Sequence, residues 1–460
     1  MHAPHSEAAG RTASPTTARR INDRLALQLL QDEGPLTAGR IKDLTGLSRP
    51  TVADLVERLQ AAGLITVVGE SGAQRRGPNA RLYGIVADRA HLVALDLRGH
   101  GVTVAVADLL GRIRAERTVP IADRTPPWHA VRATRRAVDE ALAAAGAAAP
   151  HTIAIGAPGL IDPESGRIGG TDWIPGWHRA VVTALERSGP PVLLENEVNL
   201  AAVAEARDGA ARDRDTFVLL WLGHGTGAAV VLDGRLRRGA SGGTGEIGFL
   251  PVPGASGLPS PHGCIGGFHS LAGSAAVTRL ATEYGFARPG PGSARTSGAG
   301  TPTPATGLPT PAPEPPGPEG GAPGEARPDF TDLAPEAALN RVHDPDPDPD
   351  PPAEALVRAA LGRHDGAAFL DELAARVALG VAAVSAVLDP GCVVLGGEVG
   401  RAGGPEFAER VAAQLARISP LATEVRAGTV GGRGVLRGAV LTAMDAAQND
   451  LFPGPTEPPH

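Results

Sequence analysis

The feature that most constrains the fold is a long segment of the chain that cannot enter a hydrophobic core. Glycine and proline account for 61 and 43 of the 460 residues, and this excess is concentrated in residues 287–352, where large apolar side chains are almost absent. A segment of that composition buries too little surface to offset the entropy lost on ordering. We therefore expect a disordered insertion over residues 287–352, with folded chain on both sides of it.

The rest of the composition excludes several classes of protein. No run approaches the roughly 18 consecutive apolar residues of a membrane span, and the N-terminus lacks the apolar region of a secretory signal. The two cysteines, Cys264 and Cys392, are too few for a disulfide scaffold or a cysteine-rich zinc site, so we expect no metal and no cofactor. This cysteine usage favours a cytoplasmic location.

Charge and residue pattern divide the chain into a small head and a larger body. We expect a tail over residues 1–20, a head over 21–86, a body over 87–286 and 353–447, and a second tail over 448–460. Residues 1–85 hold eleven basic and eight acidic side chains, a net charge of +3, although the whole chain carries −7. A basic head on an acidic body indicates that the head binds a polyanion.

The head has the pattern of a winged helix-turn-helix. Asn22, Thr37 and Ser48 are each placed to cap a helix. Pro50 lies in the first turn of the third helix, where its missing N–H costs nothing. Two strands, over residues 64–69 and 81–86, then flank a glycine-rich basic turn. Three short helices followed by a basic hairpin predict this DNA-binding motif.

The motif predicts which residues contact DNA, because its third helix enters the major groove with its N-terminal turn leading. The residues of that turn are Ser48, Arg49, Pro50 and Thr51. Arg49 has the geometry to pair with guanine, and Arg75 and Arg76 in the wing reach phosphates or a minor groove. The alternative is a helical bundle for protein contacts, in which Arg49 is merely solvated.

The body has the alternating strands and helices of an α/β fold, with glycine-rich turns between them. We expect three successive strands from residue 91, the first two joined by a glycine-containing turn, and then a helix over 126–149. Nearer the C-terminus we expect a long helix over 369–388, a strand with a glycine turn over 392–400, and a helix over 405–417.

The order of motifs in the body resembles the ROK family of repressors and sugar kinases. The matching stretches are LDLRGHGVTVAVADLLG, IGAPGLID, LLENEVNLAAVAEA, LGHGTGAAVVLDGRLRRGA, GTGEIGFLPV and DPGCVVLGGEVG. The resemblance implies an N-terminal winged helix-turn-helix and a two-lobed, actin-like ATPase body of the sugar-kinase type. It also implies that a hexose binds in the cleft between the lobes.

Compared with the kinases that it resembles, this sequence differs at the residues that would take part in the reaction. Asn196 and Glu197 stand where the family has Asn-Asp, whose aspartate is the base, and the longer glutamate moves the carboxylate by about 1 Å, enough to cost about a hundredfold in rate. Arg98 replaces a glycine of the first phosphate loop, and His100 replaces its hydroxyl residue. The second glycine turn, over residues 223–227, is intact.

The resemblance also predicts a sugar-effector site. Glu246 falls on a glutamate that accepts bonds from sugar hydroxyls, and His269 falls on the final sugar-binding glutamate. Phe249 replaces a histidine that ligates zinc. The predicted site comprises Asn196, Glu197, Glu246 and His269. Trp173 and Trp177 either stack on the sugar or pack in the core.

Together these features predict a sugar-responsive, DNA-binding transcriptional regulator of carbohydrate metabolism genes, acting as a repressor without enzyme activity. Its expected partners are double-stranded operator DNA and a small carbohydrate, with no membrane. We expect a homodimer, or a dimer of dimers, at the nucleoid of a bacterial cytoplasm. Two alternatives stay open. One is an ATP-dependent, glucokinase-like hexose kinase with a DNA-binding head, and the other is a DNA-binding protein whose body no longer binds ligand.

Overall fold

The computed structural model describes residues 15–71, 80–169, 174–260, 266–285 and 353–452. The predicted insertion over residues 287–352 therefore lies outside the described residues. Within them, the chain forms a small head and a body of two lobes, each built on one five-stranded sheet. The winged head and the two-lobed α/β body that the sequence predicts are both confirmed.

The head is a winged helix-turn-helix with a three-stranded antiparallel sheet in the order β1-β3-β2. Its elements are α1 (Pro15–Asp32), β1 (Leu36–Thr37), α2 (Ala38–Thr45), α3 (Arg49–Ala61), β2 (Ile65–Ser71) and β3 (Ala80–Ile85). Ile41 on α2 and Leu55 and Leu59 on α3 are buried against α1 and the sheet. This packing leaves the N-terminal turn of α3 on the surface.

Capping side chains explain where the second and third helices begin. The Thr37 hydroxyl accepts a hydrogen bond at 3.1 Å from the backbone N–H three residues on, and the Ser48 hydroxyl accepts one at 3.3 Å in the same way. Both predicted caps are confirmed. The first helix begins at Pro15, so Asn22 lies inside it and is not its cap. Helix α1 thus includes the last six residues of the segment that we expected to be a tail.

The first lobe is an α/β layer with its helices on one face. Its elements are β4 (His91–Arg98), β5 (Gly101–Asp108), β6 (Ile113–Pro120), α4 (Pro127–Ala144), β7 (Thr152–Ala157), α5 (Gly176–Glu186) and β8 (Val192–Asn196). The strand order is β6-β5-β4-β7-β8, with β4, β7 and β8 parallel. Helices α4 and α5 share an apolar core with this sheet.

The second lobe repeats the order of the first. Its elements are β9 (Phe217–Leu222), β10 (Thr226–Leu232), β11 (Arg235–Arg237), α7 (His269–Ala272), α8 (Ser274–Glu283), α9 (Ala353–Ala360), α10 (Ala367–Leu388), β12 (Cys392–Gly396), α11 (Gly397–Ile418) and β13 (Glu424–Ala427). The strand order is β11-β10-β9-β12-β13, so a meander again precedes two parallel strands. The repeated topology makes the body a pair of similar lobes.

Helix α11 differs from the prediction, which gave a glycine turn followed by a helix over residues 405–417. The helix begins at once, at Gly397, and bends at Gly404, which has a φ of 56°. Pro405 follows the bend, so its missing N–H and its ring fall where the helix is already broken. The predicted helix start at Pro405 therefore coincides with a break between two helical segments, and only the predicted glycine turn was wrong, because the chain is already helical from Gly397.

Two further helices, α6 (Glu197–Asp208) and α12 (Gly434–Leu451), join the lobes. Helix α6 contacts β9 and β10 of the second lobe, α12 contacts β4 and β7 of the first, and the two helices pack on each other. Their apolar side chains form the core between the two sheets. Helix α12 continues four residues beyond residue 447, where we expected the body to end.

The head is attached to the body through the C-terminal part of α12. Arg24 on α1 donates a hydrogen bond to Asn449, and Gln31 Nε2 lies 3.6 Å from the Met444 sulfur. The apolar core of the head is continuous with the core around α6 and α12. In the described ranges, no helix is long and apolar enough to cross a membrane.

We predict that Gly438→Ala destabilises the protein, because a Cβ at Gly438 would lie 1.9 Å from the carbonyl oxygen of Leu200 on α6. The two central helices must then move apart, and overpacking of this kind costs about 1–3 kcal/mol. Gly434→Ala is the control, since the nearest atom to a Cβ there lies at 3.8 Å. Urea unfolding measures both variants, and equal stability of the two would contradict the close contact.

Candidate functional site

The two lobes meet at a cleft that is formed where strands of both sheets end. Because β4, β7 and β8 are parallel, their carboxyl ends lie at the same edge of the first sheet, the usual location of ligand sites in open α/β sheets. The parallel strands β9 and β12 end in the same way in the second sheet. The segments that follow these strands carry the charged side chains of the cleft.

Arg98, at the end of β4, contacts groups of both lobes. Its Nε lies 2.8 Å from Asp96 Oδ1 in its own lobe, and its Nη1 lies 2.9 Å from Glu398 Oε1 in the second lobe. The guanidinium also lies 5.6 Å from the ring centroid of Trp221 on β9. Burial raises the pKa of Asp96, and the Arg98 charge opposes that rise. Arg98 stands where the resemblance places a phosphate-loop glycine. It therefore fills this turn with a guanidinium that is paired with Asp96 and Glu398.

The backbone of Arg98 is fixed as well. His178 on α5 is fully buried, and its Nε2 donates to the Arg98 carbonyl oxygen at 3.3 Å. Burial lowers the pKa of His178 to about 4, so this imidazole is neutral near pH 7. No local pattern in the sequence indicates this contact, because the two residues are 80 positions apart in the chain.

Asn196 caps helix α6 with its side chain. Its Oδ1 accepts from the backbone N–H groups of Val198 and Asn199 at 2.8 and 3.4 Å. Its Nδ2 donates to the Gly159 carbonyl at 3.1 Å and to Glu197 Oε2 at 2.9 Å. All of its side-chain hydrogen-bonding groups are thus engaged by the protein, and the cap fixes the position of Glu197.

Two carboxylic acids in the cleft have unusual environments. Burial, together with the negative charges of Asp96 and Glu246, raises the pKa of Glu197 to about 8, while Arg98 opposes the rise. Burial alone raises the pKa of Glu246. The structure therefore brings Glu197 and Glu246 close enough to interact electrostatically, as the predicted site requires, and Glu197 holds its proton at neutral pH.

A neighbouring carboxylate was missed from the sequence. Glu195 is buried, and it accepts from Arg238 Nε at 2.6 Å, from Asn199 Nδ2 at 2.8 Å and from the Asn196 backbone at 3.0 Å. Since Arg238 follows β11, this ion pair also joins the two lobes. Its position beside the Asn196-Glu197 pair is the signal that could have identified it.

His269, the fourth predicted sugar contact, is buried at the start of α7. Its Nδ1 accepts the backbone N–H of Thr226 at 3.0 Å and lies 3.1 Å from the Thr226 hydroxyl. A neutral imidazole that accepts at Nδ1 carries its proton on Nε2. Its ring packs edge-on against Phe249 at 5.3 Å, and burial lowers its pKa.

The structure answers part of the question about the two tryptophans and about a metal site. Trp177 is buried in the core of the first lobe, so it packs rather than stacks on a ligand. Trp173, His262 and Cys264 lie outside the described residues. In the part of the chain that the structure describes, no group of three or more histidine, cysteine or acidic side chains is placed to hold a metal ion.

The head exposes the predicted DNA-contacting turn. Ser48, Arg49 and Pro50 are exposed, and Thr51 is half-buried. The hydroxyls of Ser48 and Thr51 lie 2.7 Å apart, so they complete the cap. Arg49 has no hydrogen bond or ion pair to any described residue, which leaves its guanidinium free for a ligand.

The other basic side chains of the head differ in role. Arg58, on the same helix, donates to Asp54 and, at 2.6 Å, to Asp23 of α1. These partners raise its pKa against the effect of burial, and the pair ties α3 to α1. Arg75 and Arg76 lie outside the described residues, so their predicted DNA contacts stay predictions.

Comparison with known protein families divides the chain into the same head and body that the structure shows. The model of the ROK family matches residues 92–285, and the model of the MarR family matches residues 21–77. The chain therefore contains a ROK family domain. Its N-terminal domain is of the MarR winged-helix type, as the geometry of the head indicates.

Among curated relatives, the chain is similar to the DNA-binding transcriptional dual regulator NagC of Escherichia coli K12, with 27% identity over 247 residues. The match covers 51% of this chain and 58% of that one. The chain thus spans somewhat more than half the length of the curated relative that it matches.

Two solved structures resemble this chain over most of their length. A ROK family transcriptional regulator, a homologue of the E. coli MLC protein, aligns with a TM-score of 0.65 and 18% identity over 95% of this chain and 98% of that one. A ROK hexokinase from Thermus thermophilus aligns with a TM-score of 0.53 and 27% identity over 78% of this chain and 99% of that one. The first includes the head, and the fold is common to both.

We predict that Glu197→Gln raises the stability of this protein at alkaline pH. Between about pH 5 and pH 8 the unfolded chain ionises at this position while the folded protein keeps the proton, so wild-type stability falls as the pH rises. One pKa unit corresponds to about 1.4 kcal/mol, so the variant should gain at least about 1 kcal/mol over wild type at pH 8 and nothing at pH 5. Urea unfolding measures the difference.

The matched control is Glu186→Gln, at an exposed carboxylate on α5. A difference between Glu197→Gln and wild type that stays constant from pH 5 to pH 8 would contradict the raised pKa.

Proposed function

We propose that this protein is a sugar-responsive, DNA-binding transcriptional regulator of carbohydrate metabolism genes and that it acts as a repressor. The observation that carries the proposal is an exposed Arg49, without a partner among the described residues, on a winged head that shares one continuous core with a two-lobed, carboxylate-lined cleft. The similarity to NagC, a DNA-binding regulator by name, supports it. The match covers only 58% of that relative. We therefore base the proposed activity and partners on the geometry of this chain.

The proposed DNA contact is made by the N-terminal turn of α3 in a major groove. Arg49 supplies the base contact, since its guanidinium is exposed and has the fork geometry that matches guanine. Ser48, Pro50 and Thr51 shape the turn and lie beside it against the sugar-phosphate backbone. Arg75 and Arg76 bind phosphate or a minor groove from the wing.

The proposed effector is a small carbohydrate bound between Glu197 and Glu246. A protonated Glu197 donates one hydrogen bond and accepts others, and a sugar hydroxyl can pair with either carboxyl. Asn196 acts by holding Glu197 in place, since its own polar atoms are engaged. His269 contributes an Nε2–H donor at the rim. This division of roles follows the hydrogen bonds of the described residues.

The proposed route from cleft to head is helix α12. Its first residues, Gly434 and Val435, line the cleft beside Arg98, and its last turns hold α1 through Asn449 and Met444. Helix α12 contacts the first lobe directly and the second lobe through α6, so a change in lobe closure alters its packing, and the head moves with it. A ligand changes DNA affinity only by its differential affinity for the two states, typically 1–3 kcal/mol.

The proposed assembly is a homodimer or a dimer of dimers on an operator. Two-fold proteins read inverted repeats whose half-sites lie about one helical turn apart or a multiple of it. The acidic body is held away from phosphate by the basic head. An operator-binding role locates the protein at the nucleoid of a bacterial cytoplasm.

The same cleft argues against sugar phosphorylation. Glu197, at the position of the family's catalytic base, holds its proton near pH 7 because its pKa is about 8. A carboxyl group with this pKa is ionised in only about a tenth of the molecules at pH 7, so fewer of them can take the proton of a sugar hydroxyl. Arg98 pairs with Asp96 and Glu398 at the turn where the family binds phosphate. Phosphoryl transfer depends on positioning and electrostatics, so both changes raise the same barrier.

We predict that Arg49→Ala weakens binding to DNA that wild type selects from a random pool by about 1–3 kcal/mol and relaxes one base preference. The reason is the loss of a bidentate contact with a base edge. Fluorescence anisotropy at one fixed salt concentration measures the affinity. Gln60→Ala, exposed near the other end of α3, is the control, and wild-type affinity in Arg49→Ala would refute this docking.

A further inference from the structure

Arg98 and Glu398 lie on different lobes and meet across the cleft. Arg98 is the last residue of β4 in the first lobe, and Glu398 is the second residue of α11, directly after β12 of the second lobe. Their Nη1 and Oε1 atoms are 2.9 Å apart although 300 positions separate the residues in the chain. We propose that this pair is an interlobe latch, which holds the two lobes at one degree of closure.

The first lobe fixes the arginine. Its Nε bonds to the buried Asp96 at 2.8 Å, and its carbonyl accepts from His178. One edge of the guanidinium is therefore held by Asp96 in the first lobe, and the other edge can bond to Glu398 across the cleft. A planar guanidinium can bond along two edges at once, which the point charge of a lysine cannot reproduce.

The second lobe fixes the glutamate by shape. A Cβ at Gly223 would lie 2.3 Å from Glu398 Oε2 and 2.7 Å from Trp221 Nε1. The carboxylate thus occupies a space that only glycine leaves open, at the start of the turn over residues 223–227. Glu398 Oε2 is buried and has no hydrogen-bond partner in the described part of the chain.

This burial gives the latch its strength. An exposed ion pair contributes little, because water and salt screen it. A partly desolvated pair behaves differently, since removal of one member leaves the other charge uncompensated. Loss of Arg98 would leave two carboxylates, Asp96 and Glu398, facing one another without a cation between them. The proposed latch therefore depends on this guanidinium, whichever effector the cleft binds, and it acts alongside the Glu195–Arg238 pair that also joins the lobes.

The control for the latch is an ion pair in the same region that stays within one lobe. Arg401, on α11, lies 3.1 Å from Glu354 on α9, and both helices belong to the second lobe. Arg401 also borders the cleft. Removal of its charge perturbs the local surface but breaks no contact between lobes.

The test measures the distance between the lobes in the full-length chain. Nitroxide labels at Glu140→Cys on α4 and Val387→Cys on α10 report that distance by pulsed electron paramagnetic resonance. The Glu140 side chain is 53% exposed and Val387 is 82% exposed. Cys264→Ser removes one native thiol, and Cys392 is buried. The variants compared in this background are Arg98→Ala, Glu398→Gln, their combination and Arg401→Ala.

We expect Arg98→Ala and Glu398→Gln each to broaden the distance distribution and to move its mean by more than about 2 Å, the scale of a domain rearrangement. The double variant should move no further than the larger single one, because both remove the same contact. Arg401→Ala should match wild type. Glu398→Gln leaves the Arg98–Asp96 pair intact, so it keeps the test decisive if Arg98→Ala fails to fold.

Wild-type distances in Glu398→Gln would overturn the latch. Shifts that add in the double variant would also overturn it, since the two residues would then act independently. An equal shift in Arg401→Ala would show a general loosening of the second lobe in place of a specific contact.

Discussion

The packing of α6 against α12 is the constraint on which the rest of the molecule depends. These helices form the core between the two sheets, and α12 also holds the head through α1. Gly438 permits this packing, because a Cβ there would lie 1.9 Å from the Leu200 carbonyl oxygen and clash with it. This helix pair therefore connects the cleft and the lobes to the head, which carries the predicted DNA-contacting turn.

Two departures from the sugar kinases that it resembles, at Arg98 and Glu197, change the chemistry of this cleft. Arg98 introduces a cation that pairs with Asp96 and reaches Glu398. Burial raises the pKa of Glu197, one of the predicted sugar contacts, to about 8. The cleft therefore presents a largely protonated carboxyl group together with a paired guanidinium.

Most of the fold could be predicted from the sequence, because local signals coincide with the structure. Ser48 and Thr37 are caps as expected, and the apolar runs that end in glycine turns are the strands of both sheets. Long-range pairings could not be predicted. Nothing local indicates that Glu398 faces Arg98, and Asn196 was expected at a sugar although its side chain caps α6. The local signals fix the elements, and only the tertiary packing decides which side chains meet.

The central claim is tested most directly by thermodynamic linkage between sugar and DNA. For each member of a monosaccharide panel, the affinity of the full-length chain for DNA that wild type selects is measured with and without sugar, and the sugar affinity with and without DNA. We expect at least one sugar that lowers DNA affinity by roughly 5- to 150-fold, with DNA lowering the affinity for that sugar by the same factor. Glu246→Gln should lose this effect while its DNA affinity stays unchanged. Sugars that bind the cleft and leave DNA affinity unchanged would contradict it.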